Sequence, residues 1–347
     1  MFRLNFAVLT AGFVFLQAST FSTNRTIGEE PDVRPIIVAH RGASGYLPEH
    51  TEGAKVLALS QGADFIEQDV VLSKDGVFVV THDITMEGTT NVTERFKDRV
   101  RDDGKYYFAD FTWPEIQSLS VHERTDRQGK QAFENRFPGS FNQRLMRLED
   151  EIRLIQGWNK TRHSHVGIYV ELKAPTWHAK QFSYPMGDKL LPVLAEFGYR
   201  SKSDPCFIQC FEADELKRLK AAGCSLRLIQ LTGGDPSKFS QDGWTKFLRD
   251  TNSYADGIGP SLDWLVKSTP DGGVETSGFV QAAHDAQLAV HPYTVRLDQL
   301  PRWSKSIDEL HRLLIVDLKV DGFFTDFPDV SRAARDTLTQ APNPTAE

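Results

Sequence analysis

Short apolar segments alternate with amphipathic segments along most of the 347-residue chain, and this alternation restricts the fold more than any other feature. After PIIVAH, for example, Ala54, Leu57 and Ala58 keep helical spacing and Gly62 supplies a stop. Eight segments have the pattern of strands: PIIVAH, DFIEQDVV, VGIYVELKAP, PCFIQCF, LRLIQLT, ADGIGPS, LAVHPYTV and DGFFTDFPD. With helical segments in most of the gaps, they predict an α/β fold, a TIM (β/α)8 barrel.

The segment from about residue 83 to residue 147 interrupts this rhythm. It is rich in charged and aromatic residues, as in RFKDRVRDDGKYYFADF, and the barrel pattern resumes only at LEDEIRLIQG. A segment of this length is usually functional or an inserted subdomain. We therefore expect a barrel over residues 34–335, with a subdomain after the second strand that covers the barrel mouth and admits only small, water-soluble substrates.

The N-terminus, residues 1–22, has the pattern of a secretory signal peptide: Arg3, an apolar run and then small polar residues. The run is short for a membrane span of about 20 residues, and no later segment is apolar enough to span, although an uncleaved anchor is the alternative. Cleavage between Ala18 and Ser22 would release a secreted, periplasmic or lumenal protein. At the other end, residues 336–347 are expected to be disordered.

Charge and cysteine content exclude two classes of protein. With 47 acidic and 40 basic residues the formal net charge is −7, so the chain has no basic field for nucleic acid. Three cysteines allow at most one disulfide, which excludes a disulfide-rich scaffold. We expect Cys206, Cys210 and Cys224 to be buried and unpaired, with one bridge to Cys224 as the alternative. Asn-X-Ser/Thr sequons, which would carry glycans in a eukaryotic host, begin at Asn24, Asn91 and Asn159.

Charged residues follow the first two predicted strands at the end where barrel enzymes carry their active sites. His40 and Arg41 end the first strand, and Gly42 lets the backbone bend there. Glu67 and Asp69 end the second strand, and their spacing of two places both carboxylates on one face. Two like charges so close together suggest a cation between them.

A predicted hairpin after the second strand positions a second histidine. Asp75 and Gly76 form a strong signal for a two-residue turn in DVVLSKDGVFVVTHD. With these two residues as the loop, Asp69 lies opposite His82, and a cross-strand pair shares one face of the sheet. We therefore expect His82 to converge with the carboxylates near His40, whereas a slip of one residue would turn it away.

The third strand adds Glu171 and Lys173, again two residues apart, in YVELKAP. Three carboxylates without a cysteine ligand predict a hard cation, Mg²⁺ or Ca²⁺, rather than zinc. Two histidines suit a general acid and a general base near neutral pH. Arg41 and Lys173 add positive charge that does not titrate readily, as a phosphate site requires.

Each of these residues also has a structural explanation. A histidine at a strand end is more often a structural hydrogen-bonding residue, and a glutamate near a lysine is often a surface ion pair. Their occurrence at successive strand ends makes coincidence a poor explanation. We expect His291 to be structural, Tyr293 to line the pocket, and Glu49 and Thr51 to serve the loop and the helix N-cap.

Several segments together resemble the glycerophosphodiester phosphodiesterases, especially the secreted type first known from the bacterial periplasm: HRGASGYLPEHT, EQDVVLSKDG, THD, ELKAP, QCFEADELKRL, ADGIGP, HPYTVR and GFFTDFPD. The resemblance covers residues 34–330, insertion included. It implies a barrel that hydrolyses small glycerophosphodiesters, such as glycerophosphocholine, to glycerol 3-phosphate and an alcohol.

The resemblance implies catalytic roles for His40 and His82 and phosphate binding by Arg41 and Lys173. It also implies that a divalent cation is bound by Glu67, Asp69 and Glu171. Ca²⁺ is favoured over Mg²⁺ because it is plentiful outside the cell. The glycerol 2-hydroxyl would attack phosphorus to give a cyclic phosphate, which water then opens. His50 stands where most relatives outside the secreted type have Asn, and we expect it to leave the chemistry undisturbed.

Two rival functions stay open at this point. One is a phospholipase D-like enzyme for lysophospholipids or sphingomyelin, which would need an apolar groove. The other is a secreted binding protein on an inactive barrel, which would have no reason to keep both histidines and all three carboxylates. Turnover of glycerophosphocholine and of lysophosphatidylcholine, with and without a chelator, separates the three. Neither the head group nor the oligomeric state follows from the sequence.

Overall fold

A computed structural model describes residues 34–340 of the protein, apart from 127, 141, 237–240 and 270–273. The predicted signal peptide, the sequon at Asn24 and residues 341–347 lie outside this part of the chain. Within it, the helices are all too short or too polar to cross a bilayer.

The described strands are β1 (Ile36–Ala39), β2 (Phe65–Leu72), β3 (Phe78–Val80), β4 (Met146–Arg147), β5 (Gly167–Leu172), β6 (Cys206–Cys210), β7 (Arg227–Thr232), β8 (Gly257–Pro260), β9 (Val266–Ser268), β10 (Val274–Thr276), β11 (Ala289–Val290) and β12 (Gly322–Thr325). The described α-helices are α1 (Glu52–Ser60), α2 (Val92–Arg95), α3 (Trp113–Gln117), α4 (Leu148–Arg162), α5 (Pro175–Phe182), α6 (Met186–Glu196), α7 (Ala213–Ala221), α8 (Gln241–Asn252), α9 (Phe279–Asp285), α10 (Ile307–Arg312) and α11 (Pro328–Thr339).

Eight strands form one parallel sheet in the order β11-β8-β7-β6-β5-β2-β1-β12. The segment after β11 closes the sheet onto β12: the N–H of Val295 donates to the carbonyl of Phe324 at 2.8 Å, and the N–H of Phe324 donates to that of Pro292 at 2.9 Å. These strands are the eight predicted from the sequence. The predicted TIM barrel is confirmed.

Aromatic side chains fill the inside of the barrel. The ring of Tyr169 stacks on Phe207 with 4.7 Å between centroids and meets Phe324 edge-on at 5.0 Å. His291 is buried beside them, where its Nδ1 and the hydroxyl of Tyr169 are 2.9 Å apart in a hydrogen bond. Two larger apolar clusters lie between the sheet and the surrounding helices. The floor of the barrel is therefore a packed layer, and a ligand can enter only from the other end.

Local signals explain where the first and last helices begin. The hydroxyl of Thr51 accepts from the N–H of Ala54 at 3.3 Å and caps α1, as predicted. Pro328 occupies the first turn of α11, a position that tolerates its missing N–H. Residues 336–339 continue α11, so the predicted disordered tail begins too early. Arg335 anchors this helix because its Nη1 donates to the carbonyl of Pro35 at 3.3 Å.

The hairpin between β2 and β3 has a three-residue loop, Lys74–Gly76, rather than the predicted two-residue loop. The N–H of Ser73 donates to the carbonyl of Val77 at 3.0 Å, so these two residues close the loop. Gly76 has a φ of +76°, the left-handed conformation that a three-residue hairpin loop with a bulge requires.

The longer loop shifts the register by one residue from the predicted one. Thr81, and not His82, lies opposite Asp69, since the N–H of Thr81 donates to the carbonyl of Asp69 at 2.9 Å. However, β3 ends at Val80, so His82 lies beyond the ladder and the alternation of a strand does not fix its direction. The predicted register is wrong, although His82 still reaches the site, as described below.

The insertion, residues 83–147, forms a subdomain with an apolar cluster of its own. It returns to the sheet through β4, which pairs antiparallel with β3. Val71 and Val79, from β2 and β3, join the cluster. The remaining buried members are Met86, Val92, Tyr106, Phe108, Phe111, Ile116, Leu119, Val121 and Leu145. The insertion is thus packed onto one side of the barrel.

The cysteines are buried and unpaired, as predicted. Cys206 and Cys210 both lie on β6, and Cys224 follows α7. Burial raises the pKa of all three thiols.

Candidate active site

The predicted site residues meet at the carboxyl ends of neighbouring strands. His40 and Arg41 directly follow β1, and Asp69 of β2 is in register with Glu171 of β5. Instead of ending at Asp69, β2 continues to Leu72 because its last residues pair with β3. The parallel register of the sheet therefore brings side chains that are far apart in sequence to one level.

A cavity of about 170 Å³ opens at this end of the barrel. Of the eight predicted site residues, all but Asp69 line it. The full lining comprises His40, Arg41, Glu67, His82, Glu171, Lys173, Gln209, Phe211, Leu231, Tyr293, Thr294, Arg296 and Phe324. The described residues between 83 and 147 are not among those that line it. The cavity walls therefore come from the barrel, and the expected cover over the mouth stays a prediction. The insertion contacts residues behind the cavity wall.

Three carboxylates form a compact buried cluster beside the cavity. Oxygens of Glu67, Asp69 and Glu171 lie within 4.8 Å of one another. Burial and the negative charges of Asp69 and Glu171 raise the pKa of Glu67 well above its usual range. Burial, aided by Asp69 and opposed by Lys173, raises the pKa of Glu171 to about 8. Like charges held this close are stabilised by a bound cation.

A cation also fits the hydrogen bonding of the cluster. Oδ1 of Asp69 is buried and accepts no hydrogen bond, although buried carboxylate oxygens are normally satisfied. The ligand set is all oxygen, which suits Ca²⁺ or Mg²⁺. The residues present therefore fit a divalent cation.

Asp69, His50 and Lys55 form a buried chain of hydrogen bonds that supports the Asp69 carboxylate. Nε2 of His50 lies 2.8 Å from Oδ2 of Asp69, and Nζ of Lys55 lies 3.2 Å from Nδ1 of His50. Because an ammonium group can only donate, Nδ1 accepts and Nε2 carries the proton that is donated to Asp69. Burial and the charge of Lys55 lower the pKa of His50 to about 3, so the imidazole is neutral. His50 therefore supports Asp69, and the expectation that a histidine at this position leaves the chemistry undisturbed stays a prediction.

Lys55 is wholly buried, and sequence reasoning missed it. Its Nζ pairs with Glu151 of α4 at 2.9 Å and also donates to the carbonyl of Glu67. The available signal was its position next to Ala54 on the apolar face of α1.

His40 is fixed by Asp326, the residue after β12. Nδ1 of His40 donates to Oδ1 of Asp326 at 2.6 Å, which leaves Nε2 as the free ring nitrogen, 3.9 Å from Glu67. Burial and the charge of Arg41 lower the pKa of His40 to about 4. Asp326 itself accepts from Arg136 at 2.7 Å and from Arg296 at 2.8 Å.

Arg41 has a φ of +59°, which is unusual for a residue with a side chain. In this conformation its backbone N–H donates to Oε2 of Glu67 at 2.9 Å, while Nη1 donates to Glu49 at 2.9 Å. Nε of Arg41 is buried without a hydrogen-bond partner and lies 3.6 Å from Asp69. Strain of this kind, seen beside a cavity, is typical of a functional site.

The other predicted residues lie around the same cavity. Nδ1 of His82 donates to Asp83 at 2.7 Å, and burial and the charge of Arg41 lower the pKa of His82. Lys173 donates to Glu171 at 2.6 Å. The hydroxyl of Tyr293 donates to the carbonyl of Thr232 at 3.0 Å, on the far side of the cavity.

Gln209 is a site residue that the sequence analysis overlooked. It lies on β6 in register with Glu171, and its Nε2 donates to Oε1 of Glu67 at 2.8 Å. A single amide within the apolar segment CFIQC was the signal, because an interior polar residue on a barrel strand needs a partner.

Comparisons with known proteins agree with this geometry. The model of the glycerophosphoryl diester phosphodiesterase family matches residues 40–330. A glycerophosphodiester phosphodiesterase of Haemophilus influenzae is 39% identical over 353 aligned positions, which cover 94% of this chain and 96% of that protein.

Two solved structures show the same fold. A glycerophosphodiester phosphodiesterase from Agrobacterium tumefaciens has a TM-score of 0.56 at 23% identity, covering 86% of this chain and 99% of its own. A phosphodiesterase of Oleispira antarctica, in complex with the product sn-glycerol-3-phosphate, has a TM-score of 0.61 at 20% identity, covering 87% and 97%. The chain is an enzyme, and it belongs to the glycerophosphoryl diester phosphodiesterase family.

Proposed function

We propose that this enzyme hydrolyses glycerophosphodiesters, such as glycerophosphocholine, to sn-glycerol 3-phosphate and an alcohol, in a reaction that depends on a divalent cation. One observation supports this above all: the cluster of Glu67, Asp69 and Glu171 lies beside a cavity that both His40 and His82 line. The product bound to the Oleispira antarctica relative is the one that this reaction releases.

Glu67, Asp69 and Glu171 would hold the cation, and Ca²⁺ is the proposed ion. When bound, the cation supplies a Lewis acid that attracts a phosphate oxygen and the glycerol hydroxyl and lowers the pKa of that hydroxyl. The protein orients its ligands through side chains behind them: Gln209 donates to Glu67, and His50 donates to Asp69. Such supporting contacts keep carboxylates in a binding geometry.

The two histidines would move the protons. The 2-hydroxyl oxygen of the substrate attacks phosphorus while one histidine removes its proton, and the bond from phosphorus to the departing alcohol breaks as the other histidine protonates that oxygen. Water then opens the cyclic phosphate with the two roles exchanged. The described residues that line the cavity include neither Ser nor Cys, which favours the substrate's own hydroxyl as nucleophile. Nε2 of His40, free and unprotonated, has the state that a base requires.

Arg41 and Lys173 would bind the phosphate. Both line the cavity, and Nε of Arg41 has a hydrogen atom that no described group accepts. An Arg donor beside developing negative charge on phosphate oxygens stabilises the transition state. Tyr293 lines the opposite wall and would contact the substrate there.

From the signal-peptide pattern of residues 1–22 we further propose that the mature enzyme is secreted, periplasmic or lumenal. Mass spectrometry of the mature N-terminus tests this, since the chain should then begin between residues 19 and 23. A mature protein that keeps residues 1–22 would contradict the proposal.

Turnover of glycerophosphocholine and of lysophosphatidylcholine, before and after exhaustive chelation, tests the function. We expect hydrolysis of the first, little of the second, and no activity without the cation until Ca²⁺ is restored. Glu171→Gln should weaken metal binding, whereas Glu196→Gln, which changes an exposed glutamate on α6, should not. Full activity after chelation, or unchanged metal affinity in Glu171→Gln, would contradict the proposal.

A further inference from the structure

Part of the insertion folds into an irregular antiparallel ribbon, residues 121–143, which we call the insertion ribbon. Within its described residues, the N–H of Glu123 donates to the carbonyl of Pro138 at 2.9 Å and ties the two limbs together. Arg124 lies on the first limb and Arg136 on the second. Both side chains point back to the barrel, and each ends on a carboxylate that holds one of the two histidines.

Arg136 lies behind His40. Its Nη2 donates to Oδ2 of Asp326 at 2.7 Å, and Oδ1 of the same carboxylate accepts from Nδ1 of His40 at 2.6 Å. The guanidinium is itself fixed, because two of its nitrogens donate to Asp298 at 2.7 and 3.0 Å and its Cζ lies 3.6 Å from the ring centre of Phe133. Arg136 is 8% exposed.

Arg124 lies in the equivalent position behind His82. Its Nη1 donates to Oδ2 of Asp83, and Oδ1 of Asp83 accepts from Nδ1 of His82 at 2.7 Å. Nε and Nη2 of Arg124 also donate to both oxygens of Glu49 at 3.0 and 2.6 Å, and Glu49 in turn holds Arg41. The guanidinium of Arg124 is therefore linked to His82 through Asp83 and to Arg41 through Glu49.

We infer that the insertion ribbon is a positioning element for the acid–base pair, in which Arg124 orients His82 through Asp83 and Arg136 orients His40 through Asp326. The inference rests on the proposed function in that both histidines transfer protons. In each case the carboxylate fixes the Nδ1–H tautomer, so that Nε2 is the nitrogen left for the substrate. Each guanidinium is fixed by a two-point contact to a second carboxylate, Arg124 to Glu49 and Arg136 to Asp298, so that its remaining donor is aimed at the aspartate behind the histidine. A lysine cannot make such a two-point contact.

The two arginines differ in how replaceable they are. Asp326 also accepts from Arg296 at 2.8 Å, so it keeps one guanidinium when Arg136 is removed. Asp83 has Arg124 as its arginine partner among the described residues. Misplacement of a catalytic group by about 1 Å can cost on the order of 10²-fold in rate. We therefore expect a loss of that order in kcat/KM for Arg124→Met and a smaller loss, on the order of 10-fold, for Arg136→Met.

The matched control is Arg101→Met, which removes another arginine of the insertion. Arg101 pairs with Asp110 through two hydrogen bonds of 2.7 Å, and neither residue lines the cavity. Its kcat/KM should stay at the wild-type value. Arg124→Lys and Arg136→Lys keep the charge without the two-point contact, so each should recover only part of the loss. They also serve as the test pair if a Met variant does not fold.

The leaving group distinguishes positioning from a general loss of structure. Each variant is assayed for kcat/KM on glycerophosphocholine and on the p-nitrophenyl diester of glycerol 3-phosphate, whose leaving group departs without a proton. For the variant whose arginine lies behind the general acid, the fold-loss in kcat/KM should be at least tenfold smaller on the p-nitrophenyl diester than on glycerophosphocholine. For the other variant, the fold-loss should be equal on the two substrates. Equal losses on both substrates in both variants, or losses no larger than in Arg101→Met, would overturn the inference.

A second measurement needs no substrate and so separates this inference from the proposed function. Nitrogen-15 spectra of the histidine rings, assigned with His40→Ala and His82→Ala, report directly whether Nδ1 carries the proton. Arg136→Met should alter the signals of His40 and leave those of His82, and Arg124→Met should do the reverse. Unchanged ring spectra in both would overturn the positioning role, whereas wild-type protein that hydrolyses neither diester would overturn only the proposed function.

Discussion

Lys55 and Glu151 form an ion pair with 2.9 Å between Nζ and Oε1, and neither side chain is exposed to solvent. Removing one member of a buried pair leaves a charge without compensation, so Lys55→Met should lower the free energy of unfolding by about 3–5 kcal/mol. The double variant Lys55→Met/Glu151→Leu should recover part of this loss, because Nδ1 of His50 and the carbonyl of Glu67 still lack their donor. Urea titration of the three proteins measures both effects. If Lys55→Met unfolds at the wild-type urea concentration, the pair does not stabilise the fold.

His50 should determine metal affinity although it lies outside the ligand set. It donates to Oδ2 of Asp69 at 2.8 Å, and losing such a supporting contact usually weakens metal binding by about 10–100-fold. Calorimetric titration with Ca²⁺ on His50→Ala measures this directly. His284→Ala is the matched control, because Nε2 of His284 makes the same kind of contact to Asp321 at 2.9 Å elsewhere in the protein. Equal Ca²⁺ affinity in the two variants would refute the assignment.

The proposed cyclic phosphate makes the glycerol 2-hydroxyl indispensable. An analogue of glycerophosphocholine in which hydrogen replaces that hydroxyl should bind and inhibit but should not be cleaved. Release of choline, followed over hours at high enzyme concentration, is the measurement, with glycerophosphocholine as the positive control. Turnover of the analogue at the natural rate would mean that water attacks the diester directly.

Glu123 should make the stability of the protein depend on pH. Burial, opposed by the charge of Arg136, raises the pKa of Glu123 to about 7, whereas an unfolded chain has a glutamate pKa of about 4.3. Between these values the unfolded state loses its proton first, so stability falls as the pH rises from about 4 to 7 and then levels off.

Glu123→Gln mimics the protonated acid and should remove this dependence. The difference in free energy of unfolding between this variant and wild type should therefore grow, in favour of the variant, by on the order of 1–3 kcal/mol from pH 5 to pH 8. Urea titrations at the two pH values give the difference, and the exposed Glu196→Gln serves as control. A difference that is the same at both pH values would show that Glu123 is ionised throughout.

Residues whose position depends on local pattern could be predicted from the sequence. His40 directly follows a four-residue apolar strand, and Glu67, Asp69 and Glu171 lie on strands that the sequence delimits clearly. Parallel strands then place these side chains at one end of the barrel without any further information. The carboxylate cluster and its first histidine are therefore properties of short segments.

The hairpin register shows where local pattern fails. Asp75 and Gly76 favour a two-residue turn by themselves, but the insertion contacts this loop: Oδ1 of Asp75 accepts from the N–H of Trp113 at 2.9 Å, and the N–H of Lys74 donates to the carbonyl of Phe111 at 2.8 Å. These tertiary contacts accompany the three-residue loop that shifts the register. A window of sequence around the turn does not contain them.

The partners of the site residues were missed for a related reason. Asp326 lies 286 positions from His40, and Arg136 lies 190 positions from Asp326. Such pairs become neighbours only when the barrel closes and the insertion packs against it. Single charged residues in TDFPD or ENRFPG carry no local sign of the group that they contact.

The contact between His40 and Asp326 joins the residue after the first barrel strand to the residue after the last one. A chain that is synthesised from its N-terminus presents His40, His82 and the three carboxylates of the cluster long before Asp326 leaves the ribosome. Until β12 docks beside β1, the imidazole of His40 has no acceptor for its Nδ1 proton. A nascent or prematurely terminated chain that lacks β12 can thus contain the whole carboxylate cluster and still leave His40 without the residue that orients it.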